Sequence, residues 1–127
     1  RIGARPVSLD TLLAEADAVS LHIPLTAETR NLIDAGRLTA MKRDAVIVNA
    51  ARGGVIDEAA LAAALKAGTI AGAALDVFDV EPLKAGSPLA GCPNLILTPH
   101  IAGVTVESNV RVSSVTAANV RRILKGS

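Results

Sequence analysis

Arg52 stands in Asn49-Ala50-Ala51-Arg52-Gly53-Gly54, directly after the apolar run Ala45-Val46-Ile47-Val48. A guanidinium is permanently charged and grips a carboxylate or phosphate through two parallel hydrogen bonds. The glycines that follow let the backbone turn sharply and admit a ligand closely. Two readings stand here, a salt bridge at a strand end and an anion clamp. His100, between Thr98-Pro99 and Ile101-Ala102-Gly103, is a second reactive position. It can serve as general acid or base near neutral pH, or satisfy backbone groups at a strand end. Pro99 fixes its own φ, which steadies the direction of the histidine. Asp76 and Glu81 lie in Leu75-Asp76-Val77-Phe78-Asp79-Val80-Glu81-Pro82. Asp76 can accept from a ligand amide or cap a nearby turn. Glu81 is either a loop carboxylate before a proline or a partner for the histidine. A carboxylate beside an imidazole favours the imidazolium and holds one ring nitrogen, leaving the other as a directed proton donor. Cation, histidine and carboxylate at one site would clamp a carboxylate, polarise the adjacent carbonyl and protonate its oxygen. A hydride would have to come from a cofactor, since no side chain supplies one.

The elements that must gather these residues alternate along the chain. Ser8 is expected to cap a helix with Leu9, Leu12, Leu13 and Ala16 on one face. Strands are expected over 18–23, 45–49, 72–77 and 95–98, the first stopped by Pro24 and the last by Pro99. Residues 26–42 read as one or two short helical pieces, with Asp34 capping the second. Asp57 caps a helix over 58–67 that Gly68 ends. A long helix over 105–124 carries Val106, Val110, Ala117, Val120 and Leu124 on its apolar face, with Gly126 as a stop. Alternation with uncharged strands predicts parallel βα units in an α/β fold, whose ligands bind beyond the carboxyl ends of the strands. Arg52, Asp76 and His100 each follow a different strand, so one rim would hold all three.

The chain has 127 residues, enough for one domain with its own core. Half is hydrophobic, but with one Phe and no Trp or Tyr the core must come from Ala, Val, Leu and Ile. That suits helices packed on a parallel sheet and leaves no stacking platform for nucleic acid. A net charge of +1 gives no footprint for nucleic acid or an acidic membrane. The single Cys92 excludes an internal disulfide and a cysteine-based zinc site, no metal site is recognisable, and a cytoplasmic setting is expected. No apolar run has the length of a membrane span. The opening Arg1-Ile2-Gly3-Ala4-Arg5-Pro6, without an initiator Met, reads as a cut rather than a natural start.

Four segments in order carry a resemblance. They are Ser20-Leu21-His22-Ile23-Pro24-Leu25-Thr26 with Thr29-Arg30, Asn49-Ala50-Ala51-Arg52-Gly53, Leu75-Asp76-Val77-Phe78 with Glu81-Pro82, and Thr98-Pro99-His100-Ile101-Ala102-Gly103. Together they resemble the D-isomer-specific 2-hydroxyacid dehydrogenase family, especially its phosphoglycerate dehydrogenase-like branch. The resemblance implies reversible hydride transfer between NAD(H) and a 2-keto/2-hydroxy acid pair. It implies that Arg52 binds the substrate carboxylate, that His100 is the acid/base and that Glu81 is its relay partner. Asp76 would contact the nicotinamide carboxamide. Ala50, Ala51, Ala102 and Gly103 would lie on the nicotinamide side, with Arg52 and His100 beside them. His22, Pro24 and Thr29 would run beside the ribose and pyrophosphate region. A homodimer of the parent protein is implied as well.

The family's G-x-G-x-x-G fingerprint and the acidic ribose-binding residue are absent from these residues. The fold expected is therefore a partial Rossmann-type parallel sheet with flanking helices and a missing first βαβ unit. Residues 1–127 would be the second half of a truncated NAD-binding domain, with 104–127 the helix returning toward an absent substrate domain. The strand at 18–23 would then expose an unpaired edge. An NAD-sensing corepressor-type module without turnover is the alternative function, and the fragment by itself is expected to be inactive. Neither the particular acid nor the choice between NAD and NADP is legible.

Overall fold

The computed structural model describes residues 3–126. The first two residues and Ser127, the last of the expected returning segment, lie outside the described residues. Eight elements follow one another: α1 (Leu9–Glu15), β1 (Ala18–Leu21), α2 (Ala35–Ala40), β2 (Val46–Asn49), α3 (Glu58–Ala67), β3 (Gly72–Leu75), β4 (Leu95–Leu97) and α4 (Val106–Leu124). The four strands form one sheet in the order β1-β2-β3-β4, and every pairing is parallel. β1 is thus an edge, as expected.

The helices start where short polar side chains capture free amides. Ser8 accepts from Thr11 N–H, Asp34 from Arg37 N–H, Asp57 from Ala59 and Ala60 N–H, and Thr105 from Ser108 N–H. Gly68 closes α3 with a left-handed φ of 66°. The first helical piece expected after Thr26 is instead a turn. Thr29 Oγ1 accepts from Thr26 N–H and donates to the Pro24 carbonyl, which ties the turn together.

Register divides the sheet into two unlike faces. Val19, Ile47, Ala73 and Leu95 form one row, and Leu21, Asn49 and Leu75 lie in another on the same face. Their apolar members join one core with Leu13, Leu38, Leu61 and Leu65 from α1, α2 and α3. The opposite face, which includes Ser20, Val48 and Ile96, is left open, and Ile96 is 66% exposed. Among the described residues only one face is covered. The 76–94 connection from β3 to β4 contains no helix, as its Pro82, Gly86, Pro88, Gly91 and Pro93 lead one to expect. Leu89, 1% exposed, plugs that loop into the core. No residue of α4 is buried, so its apolar side does not pack on this sheet. Among the described residues no helix is long and apolar enough to cross a membrane.

Candidate active site

Parallel strands carry three loops to one rim. Arg52 follows β2, Asp76 immediately follows β3, and His100 follows β4. Three adjoining hollows run along the rim. His22, Pro24, Ala50, Ala51 and Arg52 line one of about 340 Å³. Ala50, Asp76, Thr98 and Ala102 line a second of about 190 Å³. Glu81, Thr98 and His100 line a third of about 620 Å³. Ala50 belongs to the first two and Thr98 to the last two, so neighbouring hollows share a lining residue along this rim groove. Thr29 and Gly103 line none of the three, and Thr29 instead ties the 24–29 turn together.

The histidine arrives as half of a pair. Its Nδ1 lies 2.7 Å from Glu81 Oε2, while Glu81 Oε1 accepts from Phe78 N–H at 3.0 Å. The imidazole hydrogen bond, seconded by the Phe78 amide, holds the Glu81 carboxyl below the usual glutamate range. An ionised carboxylate only accepts, which assigns a proton to Nδ1 and leaves Nε2 to exchange one with a ligand. His100 has φ of 55°, a left-handed backbone that costs a side-chain-bearing residue about 1–2 kcal/mol.

Asp76 builds the turn around that histidine. Its Oδ1 accepts from the Thr98 hydroxyl and from Ile101 N–H at 2.9 Å, and its Oδ2 accepts from Ala102 N–H at 2.8 Å. The Thr98 hydroxyl first, then the two amides, hold its carboxyl below the usual aspartate range against the opposing effect of burial. Of the two uses open to it in sequence, capping a turn is the one present. Three donors leave one of about four acceptor positions free for a ligand amide.

Arg52 is exposed and folds back, with one guanidinium nitrogen 2.6 Å from the Ala51 carbonyl. Among the described residues no hydrogen bond or ion pair joins it to His100. Its loop is nonetheless fixed from below. Asn49, 2% exposed, accepts from Ala51 N–H at 3.0 Å and donates to the Arg52 carbonyl at 2.9 Å. Asn49 was not singled out in sequence, although an amide ending an apolar strand was the available signal. Gly53 presses on the neighbouring loop so closely that a Cβ there would lie 1.8 Å from the Phe78 carbonyl oxygen. Among the described residues no group of three or more His, Cys, Asp or Glu could hold a metal ion.

Residues 1–102 match the family model described as the D-isomer specific 2-hydroxyacid dehydrogenase, NAD binding domain. The chain belongs to the D-isomer specific 2-hydroxyacid dehydrogenase family. It is 57% identical to a (S)-sulfolactate dehydrogenase of Chromohalobacter salexigens, over 94% of this chain and 39% of that protein. It is 45% identical to a D-3-phosphoglycerate dehydrogenase of Archaeoglobus fulgidus, over 99% of this chain and 24% of that one. A D-isomer specific 2-hydroxyacid dehydrogenase of Xanthobacter autotrophicus Py2, solved with NADPH and MES, superposes with a TM-score of 0.80 at 47% identity, covering 94% of this chain and 48% of that one. The chain therefore spans less than half of each of these relatives.

Proposed function

We propose that the protein carrying this chain interconverts a 2-keto acid and a 2-hydroxy acid, using NAD(H). The observation that carries the reading is the Glu81–His100 pair, with Nε2 unbonded among the described residues, on the same rim as Arg52 and Asp76. Bound NADH supplies the hydride, which goes to the keto carbon. His100 Nε2 gives its proton to the keto oxygen, so the carbonyl becomes a hydroxyl, and Glu81 stabilises the imidazolium that precedes the transfer. In the reverse direction His100 takes the hydroxyl proton. Arg52 swings from the Ala51 carbonyl to grip the substrate carboxylate in two hydrogen bonds. Ala50, Ala51, Asp76, Ala102 and Gly103 would flank the nicotinamide, while His22, Pro24 and Thr29 would border the more distal cofactor.

The sulfolactate and phosphoglycerate in the relatives' names are short 2-hydroxy acids bearing a second anionic group. A short acid of that kind, as in a phosphoglycerate dehydrogenase-like enzyme, is the substrate class we propose. A cytoplasmic homodimer is the setting we propose. The test is NADH oxidation by that protein with glyoxylate, hydroxypyruvate and phosphohydroxypyruvate. Turnover of at least one supports a dehydrogenase, whereas NADH binding without turnover of any supports a cofactor-sensing module. Because G-x-G-x-x-G is absent from these residues, the 127-residue chain alone is expected not to bind NADH at micromolar concentration. Isothermal titration showing micromolar binding would contradict this.

A further inference from the structure

The Phe78–Asp79 peptide is gripped from several sides. Its carbonyl abuts Gly53 in the Arg52 loop. Its N–H, that of Asp79, donates to Glu58 Oε1 at 2.7 Å. The Asp79 side chain in turn pairs with Arg30 at 3.0 Å. One peptide earlier, Phe78 N–H holds Glu81 Oε1, whose other oxygen meets His100. Two adjoining peptides at Phe78 thus touch the loop of the candidate anion clamp and set the stem of the acid/base pair. Glu58 is the one side chain that holds the Phe78–Asp79 peptide through a charge-assisted bond to its N–H, the stronger kind of hydrogen bond. The Arg30–Asp79 pair is about half exposed and adds less.

We propose that Glu58, at the start of α3 and outside the groove, is a positioning residue for Glu81 and His100. This rests on the acid/base reading of His100. With the Asp79 N–H released, the backbone at Phe78 shifts, carrying the Phe78 N–H of the preceding peptide away from Glu81, and the carboxylate no longer presents Oε2 to the imidazole. The proton donor is then misaligned in the transition state, while substrate binding through Arg52 is spared because Asn49 holds that loop independently.

The experiment is steady-state kinetics of the protein carrying this chain, with NADH and hydroxypyruvate or glyoxylate as probes. Displacements of about 1 Å can cost up to about 100-fold, so Glu58→Ala is expected to lower kcat about tenfold with KM moved less than about threefold. Glu58→Gln keeps an acceptor oxygen and is expected to restore most of kcat. Asp57→Ala is the control for mere helix damage. It removes the α3 cap without touching the Asp79 amide, and should lower Tm while sparing kcat. The proposal is overturned if Glu58→Ala keeps kcat within twofold, if Glu58→Gln is as impaired as Glu58→Ala, or if Asp57→Ala lowers kcat as much. His100→Asn in the same series separates the two claims. If it too keeps kcat, the acid/base reading falls and takes the proposal with it; if only Glu58→Ala keeps kcat, the proposal alone falls.

Discussion

The two sides of the groove are built differently. On one, His100 is fastened before any ligand arrives. Glu81 holds Nδ1, Phe78 holds Glu81, and Asp76 holds the two amides that follow the histidine. On the other, the backbone of the Arg52 loop is fixed by Asn49, but its guanidinium rests in the open on its own neighbour's carbonyl. The difference teaches a division of labour. A proton donor gains most from being aligned in advance, because misalignment is felt in the transition state. An anion clamp can exchange a weak local contact for a substrate carboxylate when one arrives, so it needs a fixed root and a free tip.

The comparison breaks most sharply at His100. His100→Asn suits the left-handed backbone, so the turn should survive while the proton donor is lost. General acid catalysis typically contributes about 10²–10⁴-fold, and a fall of that size in kcat is expected with KM little changed. A variant within about threefold of the parent kcat would remove the fastened side from the chemistry. The second break is Arg52→Lys. It keeps the charge and loses the planar fork, so it should act mainly on substrate KM, raising it about tenfold or more. Unchanged kinetic constants would mean that the free tip grips nothing.

Much of the scaffold under this comparison was legible in the sequence. Ser8, Asp34, Asp57 and Thr105 cap helices through amides two or three residues away, so local spacing revealed them, although Thr105 was read only as a starting position. The shared rim was legible because parallel strands send their following loops to one side. What stayed hidden depends on partners distant in sequence. Asp76 spends three acceptor positions on Thr98, Ile101 and Ala102, 22 to 26 residues away. Glu58 reaches Asp79 across 21 residues, and Gly53 reads as freedom to turn until Phe78 appears against it. Composition told what the strands are made of and not what lies opposite them. Ile96 and Val46 belong to apolar strands, yet they face outward with α4 standing clear.

The smallest effect expected separates the two sides by what holds their amides. Ile101 and Ala102 N–H are held by Asp76, a carboxylate that can be protonated, whereas Ala51 N–H is held by Asn49, an amide that cannot. The Asp76 and Glu81 carboxyls both lie below their ordinary values in the folded chain. Such groups bind fewer protons folded than unfolded, so their stabilisation is complete above about pH 5 and is lost as pH falls through the lowered folded values. In that acid range Ile101 and Ala102 should lose hydrogen-exchange protection, corrected for intrinsic rates, while Ala51 keeps its own until the whole fold opens. NMR-detected exchange on the protein carrying this chain, stepped downward from about pH 5, reads all three amides together. Parallel loss at the three positions would show that the rim yields to acid as one unit, and the contrast between a fastened and a rooted side would not extend to their titration.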